Sequence, residues 1–142
     1  MAPAPEKAIL TGDPGRALFL AQQLLEPPAP MFNHHRGFWG YAGVSLEDGQ
    51  PLMIQGPGVG GPSLVSVVTD LVELGVKQFV RVGTATGSPQ TRIGDLVVSS
   101  KSTSTDGVSQ ALGAEPETAA APFLLETAEE LLLDIAKVGL TS

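Results

Sequence analysis

One short apolar run limits the folds and binding sites that are open to this chain. The run contains one arginine and is followed by a loop rich in glycine and threonine. It spans residues 78–87, Gln-Phe-Val-Arg-Val-Gly-Thr-Ala-Thr-Gly. The β-branched and aromatic residues predict a buried strand. Burying Arg81 is costly unless its guanidinium group meets an anion, and that group binds phosphate or carboxylate oxygens two at a time. Because open α/β sheets bind ligands at the carboxyl ends of strands, the run predicts an anion site, with phosphate as the preferred anion.

Composition limits the classes of partner. The chain has 142 residues, of which 42% are hydrophobic and 16% charged, and this fits a single domain over residues 1–142. Its net charge of −7 argues against nucleic acid and anionic membranes as partners. No apolar run reaches the roughly 18 residues that a membrane helix needs. The absence of cysteine and of an apolar signal core suits a cytoplasmic location.

A second strand, turn and helix start lies near the amino terminus. Residues 7–11 predict a strand, and Asp13 followed by Pro14 predicts an N-cap and a helix that runs to about Leu25. Arg16 then lies in the first turn beside unpaired backbone N–H groups, a setting that favours anion binding. The alternative is that Asp13 only caps the helix and Arg16 is solvated. These residues alone favour that simpler interpretation.

The middle of the chain predicts a β-hairpin. Asp48-Gly49 lies between alternating apolar residues, a pattern typical of a tight hairpin turn. The aromatic residues Phe38, Trp39 and Tyr41 lie on the first arm, with glycines between them. The sequence therefore places an aromatic cluster on one arm of this hairpin.

Two adjacent histidines precede the hairpin. His34 and His35 suggest a metal site, but neighbouring strand residues point to opposite faces and no further ligand follows at a suitable spacing. We therefore predict no metal. Arg36, directly after them, is either a solvated charge at a strand end or a second anion ligand, and its spacing leaves both interpretations open.

A glycine-rich loop at residues 56–63 follows the second arm and opens a helix that we predict over residues 62–74. Three of its glycines, beginning at Gly56, match the G-x-G-x-x-G dinucleotide fingerprint. A dinucleotide-binding unit is thus the main competing hypothesis. It fails at the next strand, which should end in Asp or Glu for the ribose but ends in Arg81-Val-Gly-Thr.

Five short motifs follow one another along the chain. They are Gly12-Asp-Pro-x-Arg16, Asn33-x-x-Arg36-Gly37, Gly58-Val-Gly-Gly-Pro-Ser63, Arg81-Val-Gly-Thr84 and Ile93-Gly-Asp-Leu-Val-Val98. In this order the chain resembles the amino-terminal half of the hexameric purine nucleoside and uridine phosphorylases over nearly all its length. The Gly-Gly-Pro-Ser form and Thr84 resemble the uridine branch, whereas residues 36–43 resemble the purine branch, so the base is left open. The resemblance implies an α/β fold with a mixed central sheet flanked by helices, apparently truncated.

The same resemblance implies roles for individual residues. Those matching phosphate-binding positions are Gly12, Arg16, Arg81, Thr84 and, from the neighbouring subunit, Arg36. Those matching nucleoside-binding positions are Val59 beside the sugar and Ala85, Thr86 and Gly87 beside the base. The implied reaction is phosphorolysis, in which phosphate attacks the anomeric carbon to give ribose 1-phosphate and free base. It needs inorganic phosphate as co-substrate and no cofactor, in a homo-oligomer that is a dimer or a trimer of dimers.

The chain also departs from the family pattern. It is considerably shorter, and the family's base-stacking aromatic, ribose-binding glutamate and purine-protonating acid would lie beyond it, so the catalytic residues are unknown. The loop at residues 84–89 is slightly shorter, with Thr86 where a glycine is expected, and Gly37 replaces a glutamate that helps to bind potassium in the uridine branch. Two hypotheses stay open: a nucleoside phosphorylase, or a truncated relative that binds phosphate or nucleoside and catalyses nothing.

The rest of the chain predicts one more strand and one more helix. Residues 92–100 predict a strand, residues 101–113 a surface segment and residues 117–122 a loop or fraying turn. Residues 123–136 predict an amphipathic helix, with Leu131 among its inward-facing residues.

Overall fold

The computed structural model describes residues 5–86, 89 and 92–138, and it describes side chains as far as residue 131. By its contacts the chain divides into two compact units, Met1–Ala85 and Thr86–Ser142. The first unit contains the predicted site residues up to Ala85. No helix among the described residues is long and apolar enough to cross a membrane.

The first unit is a five-stranded mixed sheet with one long helix on each face. Its elements in chain order are β1 Lys7–Thr11, α1 Pro14–Leu24, β2 Met31–Asn33, a 3-10 turn His35–Gly37, β3 Gly40–Val44, β4 Pro51–Gln55, α2 Gly61–Glu73 and β5 Gln78–Val82. The strand order is β2-β3-β4-β1-β5. Strands β4, β1 and β5 run parallel, whereas β3 is antiparallel to both β2 and β4. This confirms the predicted α/β class with a mixed central sheet.

The two faces of the sheet follow from the alternation of side chains along its strands. Leu10 of β1 packs on one face with Leu71 of α2, and both are almost fully buried. Ile54 of β4 packs on the other face with Ala17 of α1, and neither is exposed to solvent. Because both faces are covered by a helix, β1 and β4 carry apolar residues almost continuously.

Local signals placed the first helix and the hairpin correctly. Asp13 is the N-cap of α1, since its Oδ2 accepts a hydrogen bond of 2.6 Å from the backbone N–H of Arg16. Strands β3 and β4 are joined across Asp48 and Gly49, and Gly49 takes a positive φ of 66° that suits glycine. Helix α2 ends before Gly75, whose φ is 103°. These predictions are confirmed.

The strand that carries Arg81 is only partly buried, contrary to our prediction. Residues 78–82 do form a strand, but Phe79 and Val80 are half-buried, while Arg81 and Val82 are exposed. The reason is position: β5 pairs with β1 on one side and is an edge strand of the sheet that the structure describes. The sequence alone does not show which strand lies at an edge.

We assumed that His34 and His35 are neighbouring residues of a strand. This assumption was wrong, because both lie in a turn. His34 precedes the 3-10 turn, and its ring stacks on that of His35 with 4.4 Å between centroids. The side-chain oxygen of Asn33 accepts a hydrogen bond of 3.1 Å from the backbone N–H of His35. The backbone of Arg36 adopts a left-handed conformation, with φ 55°. This short turn therefore replaces the expected continuation of the hairpin arm.

The second unit contains a two-stranded sheet and two helices. Its elements are β6 Lys101–Thr103, α3 Gly107–Ala111, β7 Glu117–Ala119 and α4 Pro122–Val138. Strands β6 and β7 pair antiparallel. The prediction of a loop or turn at residues 117–122 was therefore wrong for β7, whose alternating Glu-Thr-Ala sequence carries little strand signal on its own.

Residues 92–100 form no strand, contrary to our prediction. Ile93 is fully exposed, and Leu96 and Val97 are 63% and 61% exposed. A strand needs a series of hydrogen bonds to a neighbouring strand. In the described part of the chain no strand pairs with this segment, although the carbonyl of Ser100 accepts one bond from the backbone N–H of Ala120. Helix α4 forms as predicted, but Leu131 is 48% exposed and so does not face inward.

Candidate functional site

Three parallel strands of the first unit end at the same edge of the sheet. Leu10 of β1 is in register with Gln55 of β4 on one side and with Arg81 of β5 on the other. The loops that follow these strands therefore lie side by side. A Cβ placed on Gly56 would lie 3.7 Å from the carbonyl oxygen of Thr11, so the loops after β4 and β1 are in contact. Open α/β sheets bind ligands at such an edge.

Arg16 folds back onto the end of β1. Its Nη1 lies 3.4 Å from Oγ1 of Thr11, a long hydrogen bond, and the side chain is half-buried. Thr11 itself is not exposed to solvent. Arg16 is therefore only partly solvated, and Asp13 caps the helix as the simpler interpretation supposed. The cap holds the backbone of Arg16, and Thr11 holds its guanidinium group.

Arg81 reaches the same place from β5. Its Nη2 lies 3.7 Å from the position that a Cβ on Gly12 would take, and its Nη1 lies 3.7 Å from the corresponding position on Gly83. The guanidinium group therefore lies beside the loop after β1. Arg16 contacts Thr11, and the guanidinium group of Arg81 lies beside Gly12, so two cations from separate elements approach consecutive residues.

Neither arginine is paired with a carboxylate among the residues that the structure describes. The ion pairs found there join Lys7 to Asp48, Lys77 to Glu6 and Lys101 to Glu117. The acid nearest to Arg16 in sequence is Asp13, and its Oδ2 accepts from a backbone N–H. Two guanidinium groups that share a surface without a nearby counter-charge repel each other, and a bound anion relieves that repulsion. The arrangement is therefore suited to an oxyanion that accepts from both.

Three of the other predicted residues lie on loops that follow β4 and β5 in the first unit. Thr84 and Ala85 follow Gly83 after β5 and are exposed, and Val59, on the loop after β4, is 90% exposed. Thr86 is also exposed and begins the second unit. Gly87 lies outside the described residues. The roles predicted for these five residues stay predictions.

Arg36 lies on the turn between β2 and β3. It is exposed and has no carboxylate partner in the part of the chain that the structure describes. Its predicted role is to bind phosphate of the neighbouring subunit, and an exposed arginine on a turn is compatible with that role. The position of Arg36 is known, but its ligand stays a prediction.

The competing dinucleotide hypothesis conflicts with the strand order. In a dinucleotide-binding unit the strands before and after the glycine-rich helix are neighbours in the sheet. Here β1 lies between β4 and β5. Glycines of this loop are instead needed for its backbone conformation, since Gly58 and Gly60 have φ values of 78° and 91°. The fingerprint match is therefore coincidental.

Thr11 also belongs to the candidate site, although the sequence motifs do not include it. From the sequence Thr11 is only the end of a strand, yet its hydroxyl group accepts from Arg16 and the residue is buried. The available signal was position: Thr11 is the last residue of β1, directly before the glycine of the first motif.

Comparison with known proteins identifies the family. The family model described as the phosphorylase superfamily matches residues 6–139. The chain belongs to the phosphorylase superfamily. This agrees with the mixed sheet and with the order of the five motifs.

Members of the phosphorylase superfamily similar to this chain include both purine and uridine enzymes. A DeoD-type purine nucleoside phosphorylase of Clostridium perfringens is 40% identical over 99 residues, which cover 68% of this chain and 41% of the relative. A uridine phosphorylase of Haemophilus influenzae is 36% identical over 104 residues, which cover 72% of this chain and 39% of the relative. A uridine phosphorylase of Escherichia coli is 34% identical over 138 residues, which cover 95% of this chain and 51% of the relative. The chain thus spans about half the length of these relatives, or less.

Proposed function

We propose that this chain forms the phosphate-binding half of a nucleoside phosphorylase, a pentosyltransferase that acts on uridine or on a purine nucleoside. The observation that carries the proposal is the convergence of Arg16 and Arg81 on Thr11 and Gly12, without a carboxylate partner among the described residues. Membership in the phosphorylase superfamily and the names of the relatives support the reaction class.

In the proposed reaction an oxygen of inorganic phosphate attacks the anomeric carbon of the nucleoside. The new C–O bond replaces the N-glycosidic bond, whose electron pair leaves with the base, and the products are ribose 1-phosphate and free base. Arg16 and Arg81 hold the dianion by charge-assisted hydrogen bonds. Thr84 adds a hydroxyl donor and Gly12 a backbone N–H. Catalysis of this kind depends on positioning and on electrostatic stabilisation of a cationic sugar centre beside the phosphate.

The nucleoside is proposed to lie beside the phosphate, in contact with the residues that match nucleoside-binding positions of the family. Val59 would contact the sugar, and Ala85, Thr86 and Gly87 would line the base. The names of similar proteins include both purine and uridine phosphorylases, so the proposal covers both classes of base. The family resemblance implies that other groups for the base and ribose come from the part of the relatives that this chain does not match.

The proposed assembly is a homo-oligomer in the cytoplasm that uses inorganic phosphate and no cofactor. Arg36 would complete the phosphate site of the neighbouring subunit, so a complete site would require at least a dimer. An exposed arginine on the turn between β2 and β3 is available for that purpose.

The proposal is tested by following release of base from uridine and from inosine, with and without inorganic phosphate. We expect release that depends on phosphate and is lost in Arg81→Gln. The matched control is Arg92→Gln, which makes the same charge change at an exposed arginine of the second unit. Phosphate binding without turnover would instead support the non-catalytic relative, and release without phosphate would contradict phosphorolysis.

A further inference from the structure

Arg36 lies on a segment, residues 32–40, whose backbone is strained. Arg36 has φ 55° and Gly37 has φ 74°. A left-handed residue other than glycine costs free energy and persists only where its surroundings hold it. The backbone N–H of Phe38 donates to the carbonyl of His35 at 2.9 Å and so closes the turn around Arg36. The conformation of Arg36 therefore depends on how Phe38 is held.

Phe38 is held by the glycine-rich loop after β4. Its ring is half-buried against the core below α2. A Cβ on Gly58 would lie 2.6 Å from Cε1 and 3.3 Å from Cδ1 of that ring, which is closer than real Cβ contacts. Next to it, the carbonyl of Trp39 accepts a hydrogen bond of 2.8 Å from the backbone N–H of Gly56. The segment and the loop that carries Val59 are thus in direct contact at two points.

The two ends of the segment also pack on each other. The ring of Phe32 and the side-chain oxygen of Gln55 fill the space that a Cβ on Gly40 would need. Gln55 is buried, and its Nε2 donates to the carbonyl of Gly56 at 3.0 Å. Gly40 therefore rests on the carboxyl end of β4 and Phe32 packs against Gly40, and the strained turn lies between these two residues.

We infer that Phe38 is a positioning residue that couples the loop carrying Val59 to the conformation of Arg36. This inference rests on the proposed function, because it takes Arg36 as a phosphate ligand and Val59 as a nucleoside contact. Through Gly58 the ring supports the nucleoside loop, and through the His35 hydrogen bond it fixes the turn. A side chain added to the loop at Gly58 should push Phe38 away. It should therefore weaken phosphate binding, because the turn that holds Arg36 is then displaced.

Two glycines of one loop provide a matched pair of variants. Gly58 and Gly60 both have positive φ, 78° and 91°, so alanine is strained at each. A Cβ on Gly60 would have only Pro62 Cδ nearby, at 3.8 Å, whereas a Cβ on Gly58 would collide with Phe38. With inorganic phosphate in a calorimetric titration, we expect Gly58→Ala to weaken binding at least about threefold more than Gly60→Ala. Adding Phe38→Leu to Gly58→Ala should restore much of the affinity, because the shorter side chain removes the collision.

Dependence on Arg36 separates positioning from a general structural effect. In an Arg36→Gln background, Gly58→Ala should weaken phosphate binding no further. Phe38→Leu alone gives a second test of the same dependence. It should weaken phosphate binding where arginine is retained at position 36, and it should leave the phosphate affinity of the Arg36→Gln variant unchanged. Denaturant unfolding of each variant shows whether it is folded.

The possible failures are distinguishable. If Arg81→Gln abolishes phosphate binding but Arg36→Gln has no effect, or if the Gly58 and Arg36 effects are independent, the proposed function stands and the coupling through Phe38 is wrong. If the unaltered chain and Arg81→Gln show the same lack of phosphate binding, the proposed function fails and the inference fails with it.

Discussion

Arg16 shows how one residue can be held by two different contacts, one of its backbone and one of its side chain. The carboxylate of Asp13 accepts from its backbone N–H at 2.6 Å, and the hydroxyl of Thr11 accepts from its Nη1 at 3.4 Å. The first contact begins the helix and the second directs the guanidinium group toward the end of β1. Sequence signals revealed the cap, but the second contact depends on side-chain geometry that the sequence does not contain.

Removing the hydroxyl of Thr11 should weaken phosphate binding without unfolding the protein. Thr11→Val keeps the shape of a side chain that is fully buried but leaves Arg16 without its acceptor, so the guanidinium group becomes freer. We expect phosphate affinity to fall about threefold to tenfold, the value of one ordinary hydrogen bond. Thr11→Ser keeps the hydroxyl and is the control. Equal affinities for the valine and serine variants, measured by calorimetric titration, would show that this contact does not position Arg16.

Helix α2 packs on one face of the sheet with one side, and its other side is exposed to solvent. Val67 is 7% exposed and belongs to the core with Leu10 and Leu71, whereas Val72 of the same helix is 54% exposed. Because β1 lies against this core and ends at the proposed phosphate site, packing of α2 also supports the site. The two valines allow this contribution to be measured within one element.

We expect Val67→Ala to lower the free energy of unfolding by about 2 kcal/mol, from the loss of two buried methyl groups and the cavity they leave. Val72→Ala removes the same atoms from an exposed position and should change stability by less than about 0.5 kcal/mol. Both substitutions change helix propensity equally, so their difference isolates burial. Denaturant unfolding provides the measurement, and similar losses at both positions would mean that α2 does not face the sheet as described.

Tyr41 of β3 gives a second measure of packing, between the sheet and α1. Burial raises the pKa of its phenol above the usual value of 10.0, and its hydroxyl group has no hydrogen-bond partner among the described residues. Tyr41 is the only tyrosine of the chain, so phenolate absorbance reports on this residue alone. We expect its titration midpoint to lie above that of the unfolded chain.

The sign of the resulting pH dependence follows from the raised pKa. Stability from keeping Tyr41 neutral is complete below its unfolded pKa and is lost as pH rises through the folded value. Tyr41→Phe should therefore lose less stability than the unaltered chain on going to alkaline pH. At neutral pH the variant should be at least as stable, because it removes a buried unpaired hydroxyl. A phenolate titration equal to that of the unfolded chain would contradict the burial of Tyr41.

The elements that could be predicted are those with local signals. The cap at Asp13 and the turn at Asp48-Gly49 placed α1 and the hairpin because each signal acts within a few residues. The segments at 92–100 and 117–119 were assigned wrongly, because strand formation depends on a partner elsewhere in the chain. Similarly, the sequence singles out Arg81 as a candidate anion ligand, but it does not show that Arg81 is exposed on an edge strand.

The molecule as a whole has features that favour association. Strands β2 and β5 are the outer strands of the described sheet, and large apolar side chains such as Phe19 and Leu46 are 58% and 56% exposed. Open strand edges and exposed apolar side chains are common sites of contact with other chains. Together with the proposed role of Arg36 across a subunit boundary, they predict a homo-oligomer.

We therefore expect sedimentation at micromolar concentration to give a mass larger than the 14.6 kDa of one chain. The expected species is a dimer or a larger assembly of dimers, because Arg36 is proposed to act in the neighbouring subunit. Raising the salt concentration serves as a control, since contacts between apolar surfaces should persist while weak electrostatic contacts are screened. A strictly monomeric profile would count against the proposed shared site.

The central claim is that Arg16 and Arg81 bind the same oxyanion. It is tested by titrating inorganic phosphate into the unaltered chain, Arg16→Gln, Arg81→Gln and the double variant, with Arg92→Gln as the control for net charge. We predict that each single variant weakens binding by about tenfold or more and that the double variant loses less than the sum of the two free-energy changes, because both groups act on one ligand. Affinities of the Arg16 and Arg81 variants equal to that of Arg92→Gln would contradict the claim.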